Sequence, residues 1–397
     1  MKQILLMFLP LLLSATPLEV IIDNALAFHP SLEAIQARLY AEDYQISSTR
    51  NFANPEIAFA INDIQFEDIT DRSLEPMQTT SVILKQKFPS FGKRDAATAR
   101  SRARKQVTAL SLEESKVKLV ERIKMTSYGI WEVDEELKVI GEYIEVTRQN
   151  IELNTAYSAT RTSSHMGIMS AELTLSQLKI KKSRYESMRK MLYAKLSYLA
   201  AQEILSVEVD LQVQAPKELE LYTQKLANNR GYGAKSAEVQ LAQSDIKVQD
   251  LSGNVDPFVQ VGYFHRQSYN DYVNVGFGMA LPIYGTESDN TEAARKMALS
   301  KASESQDYLQ RLRGELGGLY AQLEDAYAIY RIIHDESMPQ IEHMFELTSA
   351  SVKSGQDLFV YIDLLKQKLA LDEQLIKATV RFNMTEASLD AMTGETR

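Results

Sequence analysis

One phrase occurs twice in this chain: an alternating run of residues that ends in Pro-x-aromatic-Gly and passes directly into a very long charged segment. The first copy runs from Val82 through Phe88-Pro89-Ser90-Phe91-Gly92, and the second from Val275 through Leu281-Pro282-Ile283-Tyr284-Gly285. In both, Pro follows Val by seven residues and Gly follows Pro by three. Proline cannot donate to a sheet ladder and glycine permits a turn, so each phrase marks a place where a strand stops and the chain changes direction. The copies are 282 − 89 = 193 positions apart in a chain of 397 residues, which points to internal duplication and pseudo-symmetry.

The rest of the chain follows the same division. Residues 1–15 read as a secretory signal peptide: a basic start at Lys2, an apolar run from Ile4 to Leu13, and small residues ending at Ala15. That run is too short to span a bilayer as a helix, and no later stretch approaches the ~20 apolar residues required. The first repeat, 16–205, is expected to hold a helix, strands near 55–66 and 77–88, and long helices near 91–157 and 168–201. A connector follows at 206–220. The second repeat, 221–397, is expected to hold a helix to about Leu251, strands near 257–269 and 272–282, and long helices near 290–351 and 357–392. The stretch from Lys93 to Tyr157 has no proline and reads as a single helix of ~100 Å. Pro339 and the group Gly314, Gly317 and Gly318 are expected to bend its second-repeat counterpart or admit close neighbours. Apolar spacing near 3.5 over such lengths implies coiled-coil pairing.

The strands have two unlike faces. Val273, Val275, Phe277, Met279 and Leu281 share one face, while Asn274, Gly276, Gly278 and Ala280 share the other; Ile57, Phe59 and Ile61 alternate in the same way. An apolar outside with a small, polar inside is the pattern of a membrane barrel. Four strands cannot close one, so strands in a membrane would require the chain to oligomerise.

Composition narrows the function. The chain has no cysteine, which excludes disulfides, a thiolate metal site and a lipid-modified N-terminal Cys. Its net charge of −9, or −10 once Lys2 leaves with the leader, argues against a nucleic-acid partner. There is no phosphate-binding glycine loop, nucleophile elbow or His-Glu-x-x-His signature, so no catalytic residue and no cofactor are assigned.

Together, the leader, the duplicated order, the strand openings Asn54-Pro55 and Asp256-Pro257, the run Gln86-Lys87-Phe88-Pro89-Ser90-Phe91-Gly92-Lys93-Arg94, and Gly355 followed by Asp363-Leu364-Leu365 resemble the TolC-like outer membrane efflux family. The resemblance covers essentially the whole mature chain. It implies a mostly α chain with a small β part: a long antiparallel coiled-coil periplasmic tunnel and four strands per protomer in a trimeric 12-stranded transmembrane β-barrel. It also implies a passive outer-membrane outlet, docked to a periplasmic adaptor and an inner-membrane pump of the resistance-nodulation-division type. The Pro-x-aromatic-Gly-Lys form is most similar to the heavy-metal efflux branch; outlets for drugs or type I secreted proteins are the alternatives. A non-transporting periplasmic adaptor or coiled-coil scaffold is the rival of a different class.

The resemblance places adaptor docking and gating at the helix-helix turns, with Thr160 and Arg161 at one tip and Ser354, Gly355 and Gln356 at the other. Thr160 aligns with Gly355, so the two tips depart from equivalence. Asp357 and Asp363 beside the second turn would each become a ring of three carboxylates in a trimer, favouring cations. His165, Met166 and Met169 at the first tip offer ligands suited to copper or silver. Pro89, Gly92, Pro282 and Gly285 mark the barrel-to-tunnel junctions. The basic run Arg94, Arg100, Arg102, Arg104 and Lys105 would meet lipid head groups or neighbouring acids.

Overall fold

The computed structural model describes residues 15–66, 68–157, 163–352 and 358–395. The chain divides into two compact units, Ile35–Leu112 with Gly231–Leu309, and Met1–Ala34 with Glu113–Arg230 and Gln310–Arg397. Long helices run through the boundary between them.

Strands and helices alternate as the repeats require. Strand β1 (Thr16–Pro17) leads into α1 (Leu18–Phe28) and α2 (Pro30–Thr49), followed by β2 (Glu56–Asn62), β3 (Thr79–Lys87), α3 (Lys93–Tyr157) and α4 (Ser163–Ala200). After β4 (Val207–Glu208), the second repeat runs α5 (Leu219–Lys225), α6 (Arg230–Ser252), β5 (Pro257–His265), β6 (Tyr272–Met279), α7 (Thr286–Arg331), α8 (Met338–Val352) and α9 (Leu358–Met392). Helix α3 is 65 residues long, or ~98 Å at 1.5 Å per residue. No described helix is long and apolar enough to cross a membrane.

In the first unit, β2, β3, β5 and β6 form one antiparallel sheet in that order. The register aligns Ile57, Leu84, Val261 and Val275 in one row and Phe59, Val82, Tyr263 and Val273 in the next. Because side chains alternate along a strand, this register brings the apolar sets of all four strands to one face. Gly278 on the other face is required by close approach, since a Cβ there would lie 2.4 Å from the Phe258 ring. The helices of this unit are tied by polar contacts, including Thr49 Oγ1 to Thr98 Oγ1 at 3.0 Å and Lys105 Nζ to Asp43 Oδ1 at 2.5 Å.

In the second unit, α3, α4 and α9 share a core in which Ile140, Tyr143, Ile144, Leu178, Ile362 and Leu365 are buried. The Tyr143 hydroxyl donates to Asp372 Oδ2 at 2.7 Å, and Phe345 packs against Tyr361 with ring centroids 5.0 Å apart.

Four sequence expectations are corrected. The helix expected from Leu221 to Leu251 breaks at Asn229, whose side-chain amide donates to the carbonyl of Met392 at 2.9 Å. The expected 290–351 helix is interrupted by a π-helical turn, Ile332–Ser337, just before Pro339. Proline cannot donate and crowds the carbonyl four residues back, and the wider turn accommodates it. Gly314, Gly317 and Gly318 sit in unbroken helix with no neighbour within 4 Å of a built Cβ, so they serve no close contact within the chain. Helix α4 begins at Ser163 rather than 168 and continues through Gly167.

Candidate functional site

The apolar sheet face is the most unusual surface of the molecule. Ile57, Phe59, Ile61, Val82, Leu84, Val261, Tyr263, Val273, Val275, Phe277 and Met279 are all exposed, with Phe59 at 79% and Phe277 at 80%. A contiguous patch of this size is not left to water on a soluble monomer. The nine residues of β5 give ~30 Å of strand, enough to cross the hydrocarbon layer when tilted. Strands β2 and β6 lie at the sheet's two edges, each paired on one side only. In lipid an unpaired edge would cost several kcal/mol per exposed group.

Opposite the apolar face the side chains are mixed. Lys85 Nζ lies 4.3 Å above the Phe258 ring, Lys87 Nζ meets Glu56 Oε1 at 2.6 Å, and Phe264 stacks on Tyr272 at 4.8 Å. Beyond β5, Asp271 closes the hairpin. It receives hydrogen bonds from the Tyr263 hydroxyl, from the Arg266 backbone N–H at 2.9 Å and, at 3.1 Å, from the ring of His265. These bonds, the Tyr263 bond foremost, hold the Asp271 carboxyl down at about 2.

Both Pro-x-aromatic-Gly phrases are strand-to-helix junctions. Gly92 has φ +85° and Gly285 φ +79°, the left-handed region that glycine enters without a Cβ penalty. Each glycine carbonyl then opens a helix, accepting from Ala96 N–H at 2.9 Å and from Asp289 N–H at 3.1 Å. The first junction carries an additional lock: Asp256 Oδ1 accepts from Ser90 N–H at 2.8 Å and pairs with Lys93 Nζ at 2.9 Å, while Lys93 Nζ also donates to the Asn254 carbonyl at 2.6 Å. Burial pushes the Asp256 carboxyl up, but the bonds from Lys93 and Ser90 outweigh it and the net shift is downward. Thr286-Glu287 replaces Lys93-Arg94 at the second junction, so the two are pseudo-equivalent only.

The candidate tip residues are less fully placed. Thr160, Arg161, Ser354, Gly355, Gln356 and Asp357 lie outside the described residues. Asp363 is exposed on the second turn of α9, where its Oδ2 accepts from Gln367 Nε2 at 2.8 Å. Met166 and Met169 are exposed on α4, three residues apart and hence on one helix face. His165 belongs to the helix backbone of α4, not to a turn as its sequence suggested. Among the described residues no cluster of three or more His, Cys, Asp or Glu side chains is placed to hold a metal.

With helix–strand–strand–helix–helix units duplicated about a shared sheet, the fold can be compared with known ones. The chain matches the outer membrane protein VceC from Vibrio cholerae with a TM-score of 0.78 at 14% identity, over 96% of this chain and 97% of that one. The chain has the fold of the TolC-like outer membrane channels. The open-state MtrE outer membrane channel of Neisseria gonorrhoeae matches with a TM-score of 0.76 at 14% identity, covering 96% and 89% of the two chains. CusC, whose structures concern folding and transmembrane channel formation, matches at 0.74 and 12% identity over 95% and 92%. No protein-family model and no curated protein sequence matches the chain. The likeness therefore lies in the fold, which survives at identities where sequence similarity has disappeared.

Proposed function

We propose that this chain is the outer-membrane channel of an efflux system, a passive duct with no chemistry of its own. The observation that carries the reading is the open four-stranded sheet with one continuous lipid-compatible face. Three copies would supply 3 × 4 = 12 strands, enough to close a barrel, while the long helices would line a water-filled periplasmic duct. A soluble adaptor or scaffold has no use for such a face.

Within this reading, a periplasmic adaptor docks at the helix-helix turns around Thr160, Arg161 and Ser354 to Gln356, and an inner-membrane pump delivers the cargo. A cleaved leader exports the chain, and the apolar sheet face meets outer-membrane lipid. Asp363, exposed and threefold repeated, supports a preference for cationic cargo, with Asp357 as its neighbour in sequence; metal cations fit this preference, and Met166 and Met169 add soft ligands near the opposite tip. Reconstitution into planar bilayers tests the whole. The purified chain should run as a heat-modifiable trimer and give discrete conductance steps. A detergent-independent monomer without conductance would refute the reading. Charge reversal of Asp363 and Asp357 should shift the cation-to-anion permeability ratio; an unchanged ratio would remove the acidic ring from the account.

A further inference from the structure

At the first junction, next to the apolar face, Arg50, Arg94, Arg102, Asp95 and Thr98 line an open pocket of 350 Å³. Three other basic residues nearby are neutralised: Lys93 pairs with Asp256, Arg100 with Asp245 at 3.5 Å, and Lys105 with Asp43. Among the described residues, no ion pair is formed by Arg50, Arg94 or Arg102. Three guanidinium groups against the single carboxylate of Asp95 leave an excess of 3 − 1 = 2 positive charges in one pocket.

Arg94 is held in place without being neutralised. Its Nη1 donates to the Arg50 carbonyl at 2.9 Å and its guanidinium lies 4.0 Å above the Phe52 ring. Phe52 in turn meets Phe88 edge-on at 6.1 Å, and Phe88 follows the last residue of β3 on the parity of Val82 and Leu84. An apolar face thus grades through two aromatic rings into an arginine-lined pocket, which is the succession a chain meets on leaving a bilayer: acyl region, interface, head group. The second junction lacks the device. Counting 193 residues on, Arg94 becomes Glu287 and Arg102 becomes Arg295, which is paired with Glu292; aligning Asn54-Pro55 on Asp256-Pro257 puts Ser252 at the place of Arg50.

We propose that this pocket binds the phosphodiester of an anionic glycerophospholipid in the periplasmic leaflet, one lipid per chain at the first junction and none at the second. Planar guanidinium forks suit phosphate oxygens, and the pocket opens where a head group would lie. The proposal rests on the membrane reading above, and the two fail separately: a chain extracted without detergent defeats that reading, whereas lipid preference of the detergent-solubilised assembly decides this one.

Native mass spectrometry of the intact detergent-solubilised protein, with phosphatidylglycerol or phosphatidylcholine added, provides the test. Phosphatidylglycerol should be retained in preference to phosphatidylcholine. The R50Q/R94Q/R102Q variant should lose roughly tenfold or more in that retention, while R311Q/R313Q, with the same charge loss per changed residue elsewhere, should not. If the triple variant fails to assemble, R102Q alone, whose side chain lies outside the Arg94–Arg50 contact, should weaken retention by roughly threefold. Equal retention of the two lipids, unchanged retention in the glutamine variants, or displacement of phosphatidylglycerol by millimolar inorganic phosphate would overturn the proposal, the last by making the free ion the ligand.

Discussion

Glu136 is fully buried in the second unit. Burial, reinforced by the charge of Glu373 on α9, pushes its carboxyl up to about 7, against the opposing pull of Lys377, Lys181 and the hydrogen bond from the Tyr185 hydroxyl on α4. A folded value above the unfolded one means that the neutral form is the one the fold favours. The contribution is fully present below the unfolded value of about 4.5 and is lost as pH rises through about 7. Replacing Glu136 with Gln should therefore raise stability by roughly 1–3 kcal/mol near pH 8 and change it little near pH 5. Urea midpoints at the two pH values check this, and equal shifts at both would show that the proton is not involved. Asp256 has the opposite sign. Its lowered carboxyl contributes above the unfolded value of 3.8 and loses that contribution as pH falls further. Being partly solvated, the Lys93–Asp256 pair is worth only about 1 kcal/mol, so Asp256→Asn should lower the unfolding midpoint slightly, whereas Asp289→Asn at the second junction should not match it. Neither the burial of Glu136 nor the partner of Lys93 can be read from sequence, since Asp256 lies 163 residues away from Lys93 and Glu373 is 237 residues away from Glu136.

The elements most legible in the sequence are those set by local rules. Alternation specified the strands to within a few residues, because a one-residue slip would move the whole apolar set to the opposite face of the sheet. Pro-x-aromatic-Gly specified the junctions, because only glycine enters φ +85° or +79° freely. Substituting Ala at Gly92 or Gly285 should cost about 1–2 kcal/mol each through backbone strain alone, since no neighbouring atom lies closer than 3.6 Å to a Cβ at Gly92 and none within 4 Å at Gly285. Thermal unfolding of the two single variants checks this; a negligible loss in both would show that the helices can begin without the left-handed turn. What remained hidden depends on distant partners. Asn229 breaks a helix because it reaches Met392, and the π-turn before Pro339 absorbs a defect that sequence could locate but not resolve into a geometry. The tip assignments drew on family resemblance more than on local rules, and of them only Asp363, Met166 and Met169 have described side chains.

At the scale of the whole molecule, one sheet poses a problem that a single chain does not solve. Its strand order β2-β3-β5-β6 leaves a first-repeat strand at one edge and a second-repeat strand at the other. A ring built from it must join β6 of one copy to β2 of the next, a head-to-tail contact that closes only at a fixed number of copies. In the proposed barrel the apolar face and the edges depend on each other: lipid makes an open edge costly, and closing the edges with the apolar rows outward gives lipid a continuous apolar wall. In the proposed barrel, an arginine at Val275, in the row of Ile57, Leu84 and Val261, would face the hydrocarbon and should cost about 2–4 kcal/mol per chain if that row lies near the midplane. An arginine at Asn274, one residue away on the opposite face, would face the lumen and should leave assembly intact while altering conductance. Heat-modifiability on gels and single-channel recording separate the two effects. Equal loss of assembly in both variants would mean that the sheet's two faces do not divide lipid from water, and a Val275→Arg chain that assembles normally would remove the membrane from the role assigned to that face.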